Sequence, residues 1–329
     1  MTLRLSILDL ATIRRDQPVA DALQQSVALA QQAESLGRFE RIWYAEHHNM
    51  PRIASAATSV LIAHVAARTE RIRLGSGGVM LPNHSPLTIA EQFGTLAELH
   101  PGRIDLGLGR APGTDQRTVQ ALRRDPRASD QFPQDVQELQ GYLDDESLVP
   151  GIQAIPGRGT RVPLYILGSS MFGARLAAAL GLPYAFASHF APDALVPAVT
   201  AYREEFRPSA QLEEPYVIAG LNIVAAESTE QAKAFHESEL RKRARMLAGP
   251  GRLPSDLSPQ QMEEVMRSPL GEHAKHMLTY TAVGDQAAVA GYLDWFATHA
   301  QADELIFTNA AGDTLADRER VLEIVAGIA

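Results

Sequence analysis

The sequence contains no cysteine, no long run of like charges and no apolar segment long enough to span a bilayer. Without cysteine, disulfides, thiolate nucleophiles and cysteine-ligated zinc or iron–sulfur sites are excluded, and a reducing compartment fits. A net charge of −9 lacks the basic surface expected of proteins that bind nucleic acid or an anionic membrane. The N-terminus shows no signal-peptide pattern, so we expect a soluble, cytoplasmic protein.

Short apolar runs alternate with longer amphipathic stretches along the 329 residues. The apolar runs predict eight strands, at Leu3–Leu10, Arg41–Tyr44, Ile72–Leu81, Arg103–Leu108, Leu164–Leu167, Tyr184–Ala187, Val217–Ala225 and Glu304–Thr308. The stretches between them predict helices, at Ala20–Leu36, Ser55–Arg68, Pro86–Leu99, Ser170–Leu180, Pro192–Phe206, Thr229–Leu247, Gln286–His299 and Ala316–Ala326.

Eight repeated strand–helix units indicate a parallel sheet. In a chain of this length they favour a closed (β/α)8 TIM barrel over an open doubly wound sheet. We expect a single domain over residues 1–329. Insertions follow the fourth and seventh strands, at about residues 110–163 and 249–275, near the active-site face. Within the second insertion, Gly249–Gly271 is long and flanked by glycines, which is typical of a lid.

Active sites of such barrels lie at the carboxyl ends of the strands. Polar residues and glycines stand at these ends after strands two to six: Glu46, His47 and His48; Gly77, Gly78, Asn83 and His84; Gly109 and Arg110; Gly168, Ser169 and Ser170; and Ser188 and His189. The predicted barrel therefore brings these residues to one rim.

The stretch YAEHHNM places three titratable residues directly after an apolar run. Adjacent side chains point to opposite sides of a strand, so His47 and His48 are poorly placed to share a metal ion. No HExxH motif is present. His273 and His276 have helical spacing but no third ligand nearby, so we interpret them as a solvated helix face and expect no metal site.

The segment LGSSMFG superficially resembles a nucleophile elbow, but Phe172 stands where the elbow requires glycine. Ser169 and Ser170 have two other interpretations. They simply cap the following helix, or they form an anion site with its free N–H groups. Arg110 at the neighbouring strand end favours the second interpretation, because its guanidinium suits a phosphate.

A phosphorylated ligand need not be NAD. The segment from Gly107 to Pro112 reads GxGxxP and lacks the last glycine of the dinucleotide fingerprint. A mononucleotide with one terminal phosphate, such as FMN, fits better. The glycines of GSGG, from Gly75 to Gly78, indicate either a simple kink or the close approach of a ligand.

Five ordered motifs, EHHNM, SGGVMLPNHSP, HPGRIDLGLGRAPG, YILGSS and LGLPYAFASHF, resemble the bacterial luciferase-like monooxygenases. The resemblance covers nearly the whole chain and is closest to small bacterial members of the family. It implies a TIM barrel that binds reduced FMN or, in one branch, the deazaflavin F420.

The resemblance also implies roles for individual residues. His47 matches the histidine that acts as acid or base near the flavin, with His48 or Glu46 as its support. Arg110, Ser169 and Ser170 match the phosphate-binding positions, and Gly77–Gly78 matches the site of a non-proline cis peptide beside the flavin ring. We expect Gly109, Gly168 and His189, at the same strand ends, to contact the cofactor as well.

The function implied is a flavin-dependent monooxygenase that oxidises a small organic substrate with FMNH2 and O2. A separate flavin reductase would supply the FMNH2. Two alternatives stay open, an FMN- or F420-dependent dehydrogenase or reductase and a non-catalytic flavin-binding protein. Gly109 and Ser169 replace the cysteine and the acidic residue common in light-emitting subunits, so light emission is not expected. The family often dimerises, and the helix Ser55–Arg68 is a candidate surface for a homodimer.

Overall fold

The computed structural model describes residues 3–14, 16–125, 127–249, 252–254 and 256–328. The described residues form nine strands: β1 Arg4–Asp9, β2 Phe39–Tyr44, β3 Arg73–Met80, β4 Ile104–Gly109, β5 Leu164–Gly168, β6 Tyr184–Phe186, β7 Val217–Ala225, β8 Thr281–Gly284 and β9 Glu304–Asn309. All pairings are parallel, and β1 to β7 pair in chain order. Strand β9 pairs with both β7 and β1 and so closes an eight-stranded ring. The predicted TIM barrel is therefore confirmed.

Strand β8 lies outside this ring and is missing from the sequence-based prediction. It pairs with the carboxyl half of β7, from Asn222 to Ala225. The three-residue strand β6 covers only the beginning of β7, from Val217 to Ala219. The upper half of the nine-residue β7 is thus left with an open edge, which β8 occupies. Four residues between two helices make too short an apolar run to be recognised in the sequence.

Twelve helices occupy much of the described ranges: α1 Val19–Leu36, α2 Thr58–Ala66, α3 Pro86–Leu99, α4 Gln116–Ala121, α5 Phe132–Leu143, α6 Met171–Leu180, α7 Leu195–Glu205, α8 Thr229–Ala248, α9 Pro259–Arg267, α10 Pro269–Met277, α11 Gln286–His299 and α12 Leu315–Ala326. Among the described residues, no helix has both the length and the apolar character needed to cross a membrane.

The second insertion differs from its prediction in extent. The sequence pattern assigned the helix over 229–247 to the outer layer of the barrel and began the excursion at 249. In the structure, α8, α9 and α10 together connect β7 to β8, and α10 packs against α8. The segment predicted as a lid holds α9 and the start of α10, while its residues 250, 251 and 255 lie outside the described residues.

Local signals define several helix ends. Helix α1 ends at Gly37, whose φ of 64° is left-handed and whose N–H bonds the carbonyls of Ala33 and Glu34. The Ser85 side chain accepts from the N–H of Thr88 and begins α3.

The interior of the barrel is apolar in its middle and ionic at its amino end. A cluster of buried side chains from the inward positions of six strands fills the middle, with Leu8, Trp43, Ala45, Tyr165, Ala185, Ile218 and Ile306. Below it, Arg41 bonds Glu304 at 3.0 and 3.1 Å, Asp105 at 2.8 Å and the Tyr165 hydroxyl at 2.7 Å. Burial lowers the pKa of Arg41, but the two carboxylates outweigh it and raise the pKa. This plug closes the floor of the barrel, so a ligand reaches the interior from the carboxyl rim.

Candidate functional site

The residues predicted from strand ends do share one rim. Glu46, His47 and His48 follow β2, and Gly77 and Gly78 lie near the end of β3. Gly109 and Arg110 stand at the end of β4, and Gly168, Ser169 and Ser170 at the end of β5. His189 follows β6. Because neighbouring strands run parallel, all these ends open on the same side of the barrel.

Glu46 is the centre of a hydrogen-bond network on this rim. Glu46 is 1% exposed, and its side chain accepts from the Nε2 atoms of His48 and His84, each 2.9 Å away. Asn83 Nδ2 at 3.2 Å and the backbone N–H of Met80 at 3.0 Å complete its shell. Burial alone would raise the pKa of Glu46, but the hydrogen bonds from the two histidines outweigh it and lower the pKa to about 2. The carboxylate is therefore ionised at neutral pH and cannot donate a proton there.

His48 is a support of this network rather than a free acid or base. Its hydrogen bond to Glu46 outweighs burial and raises its pKa. The pair ties the loop after β2 to the loop after β3, because Glu46 also binds His84.

His47 is separate from that network. No hydrogen bond joins it to Glu46 or His48 among the described residues, so the expected support of His47 by these two neighbours is not a direct contact. Its Nδ1 lies 3.2 Å from the carbonyl of Gly113, which can only accept, so Nδ1 carries the hydrogen. Burial lowers the pKa of His47. Neutral His47 therefore keeps an unprotonated Nε2 that can take up a proton.

The carbonyl that orients His47 depends on a glycine. Gly113 has a φ of 63°, and a Cβ there would lie 2.9 Å from the Glu46 carbonyl oxygen. Both features exclude an ordinary side chain at this position.

The glycines of β3 are required by the protein itself. A Cβ at Gly77 would lie 2.7 Å from Leu8 Cδ1, and one at Gly78 would lie 2.8 Å from the Gly107 carbonyl oxygen. The register with β4 shifts between Ser76 and Val79, which is the predicted irregularity. The peptide bond between Gly77 and Gly78 is cis, as the resemblance implies.

Arg110 and the start of α6 come together as predicted. The Arg110 guanidinium is exposed and lies 4.1 Å from the ring centroid of Phe172, in the first turn of α6. Ser170 occupies the N-cap position, but its side chain makes no cap hydrogen bond. The first N–H groups of α6 thus lack the usual side-chain acceptor and stand beside a guanidinium. This combination suits an anion such as a phosphate.

Close packing requires a glycine at position 109 but not at position 168. A Cβ at Gly109 would lie 2.7 Å from Met80 Sδ, whereas a Cβ at Gly168 would make only ordinary contacts. Packing within the protein explains the first glycine and leaves the second unexplained.

His189 presents an unsatisfied atom at the same rim. Its Nδ1 is buried without a hydrogen-bond partner among the described residues and lies against Gly220. Asn222 Nδ2 donates to the His189 carbonyl at 2.8 Å and holds the loop. Burial, with smaller contributions from the charges of Arg243 and His47, lowers the pKa of His189 to about 3. The imidazole is therefore neutral at physiological pH, and its Nδ1 is buried against the barrel wall without a partner in the described part of the chain.

Three residues of this rim are absent from the predicted site. The strand boundaries placed Asn83 and His84, in LPNHSP, at the end of the third strand, but the prediction gave them no role. Arg243 lies on α8, which the sequence pattern placed in the outer layer, so no signal pointed to it. Among the described residues, no cluster of histidine, aspartate and glutamate is arranged to hold a metal ion. His276 pairs with Asp193 at 2.7 Å and is exposed, in agreement with a solvated face.

Two surface depressions lie away from this rim. One, of about 410 Å³, lies at the amino ends of β2 and β3, around Glu34 and Arg71. The other, of about 340 Å³, lies in the first insertion, around Asp145 and Gln153. Neither contains a predicted site residue, and neither faces the strand ends where the polar groups converge.

Comparison with known proteins agrees with the geometry. The family profile described as luciferase-like monooxygenase matches residues 3–300. A protein of Escherichia coli strain K12 named luciferase-like monooxygenase is 48% identical over 307 residues, covering 93% of this chain and 91% of its own. The N-acetyl-S-alkylcysteine monooxygenase of Bacillus subtilis strain 168 is 42% identical over 190 residues, 56% of this chain and 57% of its own.

Solved structures show the same fold. Apo-MsnO8 is 33% identical and superposes with a TM-score of 0.86 over 98% of this chain and 97% of its own. Two more distant neighbours share the fold alone. The oxygenating constituent of 3,6-diketocamphane monooxygenase from Pseudomonas putida, in complex with FMN, has 15% identity and a TM-score of 0.71, with 99% and 97% coverage. The F420-dependent tetrahydromethanopterin reductase of Methanopyrus kandleri has 16% identity and a TM-score of 0.72, with 100% and 99% coverage. The profile match over most of the chain and the close relatives show that this chain belongs to the luciferase-like monooxygenase family.

Proposed function

We propose that this protein is a flavin-dependent monooxygenase that uses reduced FMN and O2 to oxidise a small organic substrate. A separate reductase supplies the reduced flavin. The proposal rests above all on the candidate anion site formed by Arg110 and the uncapped start of α6. FMN carries one terminal phosphate, which this site suits.

The other residues of the rim fit the remainder of such a cofactor. Gly77 and Gly78 lie near the end of β3 on the same rim, where the family resemblance implies contact with the flavin ring. His189, after β6, adds a neutral imidazole to the same rim. The floor plug around Arg41 leaves the carboxyl rim as the route of entry.

When bound, reduced FMN would supply the electrons that activate O2. His47 manages protons, because its Nδ1–H is held by the Gly113 carbonyl and its neutral Nε2 is free to accept. Glu46 stays ionised and keeps the loops after β2 and β3 at fixed positions through His48 and His84. Glu46 and His48 therefore act as positioning residues, and His47 is the proposed acid–base group.

The substrate class follows from the family and one named relative. The N-acetyl-S-alkylcysteine monooxygenase shares 42% identity over 190 residues, which supports a small organic substrate here too. A deazaflavin-dependent dehydrogenase is the rival enzyme, because structures with F420-dependent activity share the fold.

The test combines equilibrium binding with oxygen uptake. The purified protein is titrated anaerobically with FMNH2 and, separately, with reduced F420. It is then supplied with a flavin reductase, NADH, ¹⁸O2 and a panel of thioethers, aldehydes and aromatics. We expect tight FMNH2 binding and at least one product that carries one ¹⁸O atom. Binding of reduced F420 with substrate reduction and no oxygen uptake would replace this proposal with the dehydrogenase. Flavin binding without any turnover would indicate a flavin-binding protein.

We also propose a homodimer, as the family resemblance implies. Helix α2 carries Val60, which is 68% exposed, on its outer face. Light scattering of the wild type and of Val60→Glu would test the surface, since a charge at its centre should shift the mass to that of the monomer.

A further inference from the structure

Arg243 is a half-buried guanidinium without a direct partner. It lies on α8, and it makes no hydrogen bond and no ion pair within 4.0 Å with any residue in the described ranges. Burial lowers its pKa, and the more distant charge of Glu239 offsets only part of that effect. A partly buried charge is normally paired, because its loss of hydration is otherwise uncompensated.

The neighbouring acids are already neutralised. The Glu239 carboxylate lies 2.7 Å from Lys242 Nζ, and the same ammonium lies 2.7 Å from Asp313. Asp313 in turn pairs with Arg14 at 2.9 Å. Two carboxylates thus face two other cations, and Arg243 is the surplus positive charge of this group.

Arg243 also lies close to the rim described above. Its chain neighbour Lys242 lies 2.7 Å from Asp313, which follows β9, and Asp313 lies 2.9 Å from Arg14, which follows β1. This part of α8 therefore lies at the carboxyl ends of the strands, and the charges of Arg243 and His47 both act on His189. These three residues come from α8, from the loop after β2 and from the loop after β6. Arg243 therefore adds a fixed positive charge to the rim that carries the proton acceptor of His47.

We propose that Arg243 binds a carboxylate group of the organic substrate and so selects anionic substrates. This inference rests on the proposed function, in which His47 serves the reacting part of that substrate. A guanidinium forms two parallel hydrogen bonds with a carboxylate, which gives orientation as well as affinity. The flavin phosphate is the less suitable occupant, because Arg110 and the start of α6 already provide a site for it at the ends of β4 and β5.

Binding of matched probes tests the assignment. Titration calorimetry compares the binding affinities of octanoate and octanamide, and those of benzoate and benzamide. Oxidised FMN is present, and reduced flavin is absent. The wild type should bind the carboxylate of at least one pair roughly tenfold more tightly than its amide. Arg243→Gln should abolish this preference through weaker carboxylate binding and leave the amide unchanged. Arg241→Gln, on the same helix but exposed and paired with Glu237, is the matched control and should keep the preference.

Several results would contradict the binding of a substrate carboxylate by Arg243. A wild type that prefers neither carboxylate, or a variant that loses both members of a pair equally, would overturn it. A large loss of FMN affinity in Arg243→Gln would assign the guanidinium to the cofactor instead. Removing an unpaired charge should leave the unfolding midpoint unchanged or raised, so a midpoint several degrees lower would reveal a structural role. No measurement here needs oxygen chemistry, so a failure of the monooxygenase reaction leaves the outcome readable.

Discussion

Replacement of Glu46 by glutamine tests the network that organises the rim. The substitution keeps the shape of the side chain and removes its negative charge. His48 and His84 would then face a neutral amide, and one of the two carboxylate oxygens would become a donor pointed at other donors.

The pKa of Glu46 sets the size of the effect. It falls from an ordinary value of 4.5 to about 2 in a residue that is 1% exposed. A pKa difference of roughly 2.5 corresponds to about 3 kcal/mol of unfolding free energy. The unfolded chain takes up this proton near pH 4.5 and the folded chain only near pH 2. The contribution is therefore complete above about pH 5 and is lost as the pH falls towards 2.

Urea unfolding at pH 7 and pH 3 measures how much the ionised Glu46 contributes to the free energy of unfolding. We expect Glu46→Gln to lose about 3 kcal/mol at pH 7 and roughly half of that at pH 3. Glu263→Gln is the control, since Glu263 is 62% exposed and pairs with Arg267 on the surface of α9. Its loss should stay below about 0.5 kcal/mol. A loss under about 1 kcal/mol at pH 7 for Glu46→Gln, or an equal loss at both pH values, would refute the reasoning.

Three further substitutions address the ligand-facing residues. Arg110→Ala should weaken the binding of reduced FMN roughly tenfold and that of reduced riboflavin hardly at all, because riboflavin lacks the phosphate. Arg117 is also exposed on the same insertion, and Arg117→Ala should change neither affinity. An equal loss for both flavins would remove the phosphate role. His47→Ala should abolish turnover with FMN affinity nearly intact in a fluorescence titration, and a loss confined to binding would contradict the acid–base role. Gly113→Ala should cost about 1–2 kcal/mol in thermal unfolding, because alanine is strained at a φ of 63°. It should also move the His47 titration in NMR spectra, and an unchanged titration would show that the Gly113 carbonyl does not orient the ring.

The barrel and the composition of its rim could be predicted from local patterns. Each strand–helix unit has its own periodicity. The carboxyl ends of parallel strands lie on one side of the barrel, whatever the conformations of the loops. The positions of His47, Arg110 and Ser170 on one rim therefore followed from strand boundaries alone. The two errors of fold, the missing β8 and the extent of the second insertion, arose where a four-residue strand depends on an edge left open by β6 and β7.

The TIM barrel, the rim and the types of chemical group gathered there depend on periodicity and on residues adjacent in the chain, so local patterns were enough to predict them. Which of these groups meet depends on how the loops pack against one another. Glu46 binds His84, 38 residues away, and not its neighbour His47. Arg110 stacks on Phe172, which follows another strand. Within the described residues, Lys242 pairs with Glu239, and Arg243 on the same helix has no ion-pair partner. Such pairings depend on distances of a few ångströms between loops that strand patterns leave unspecified.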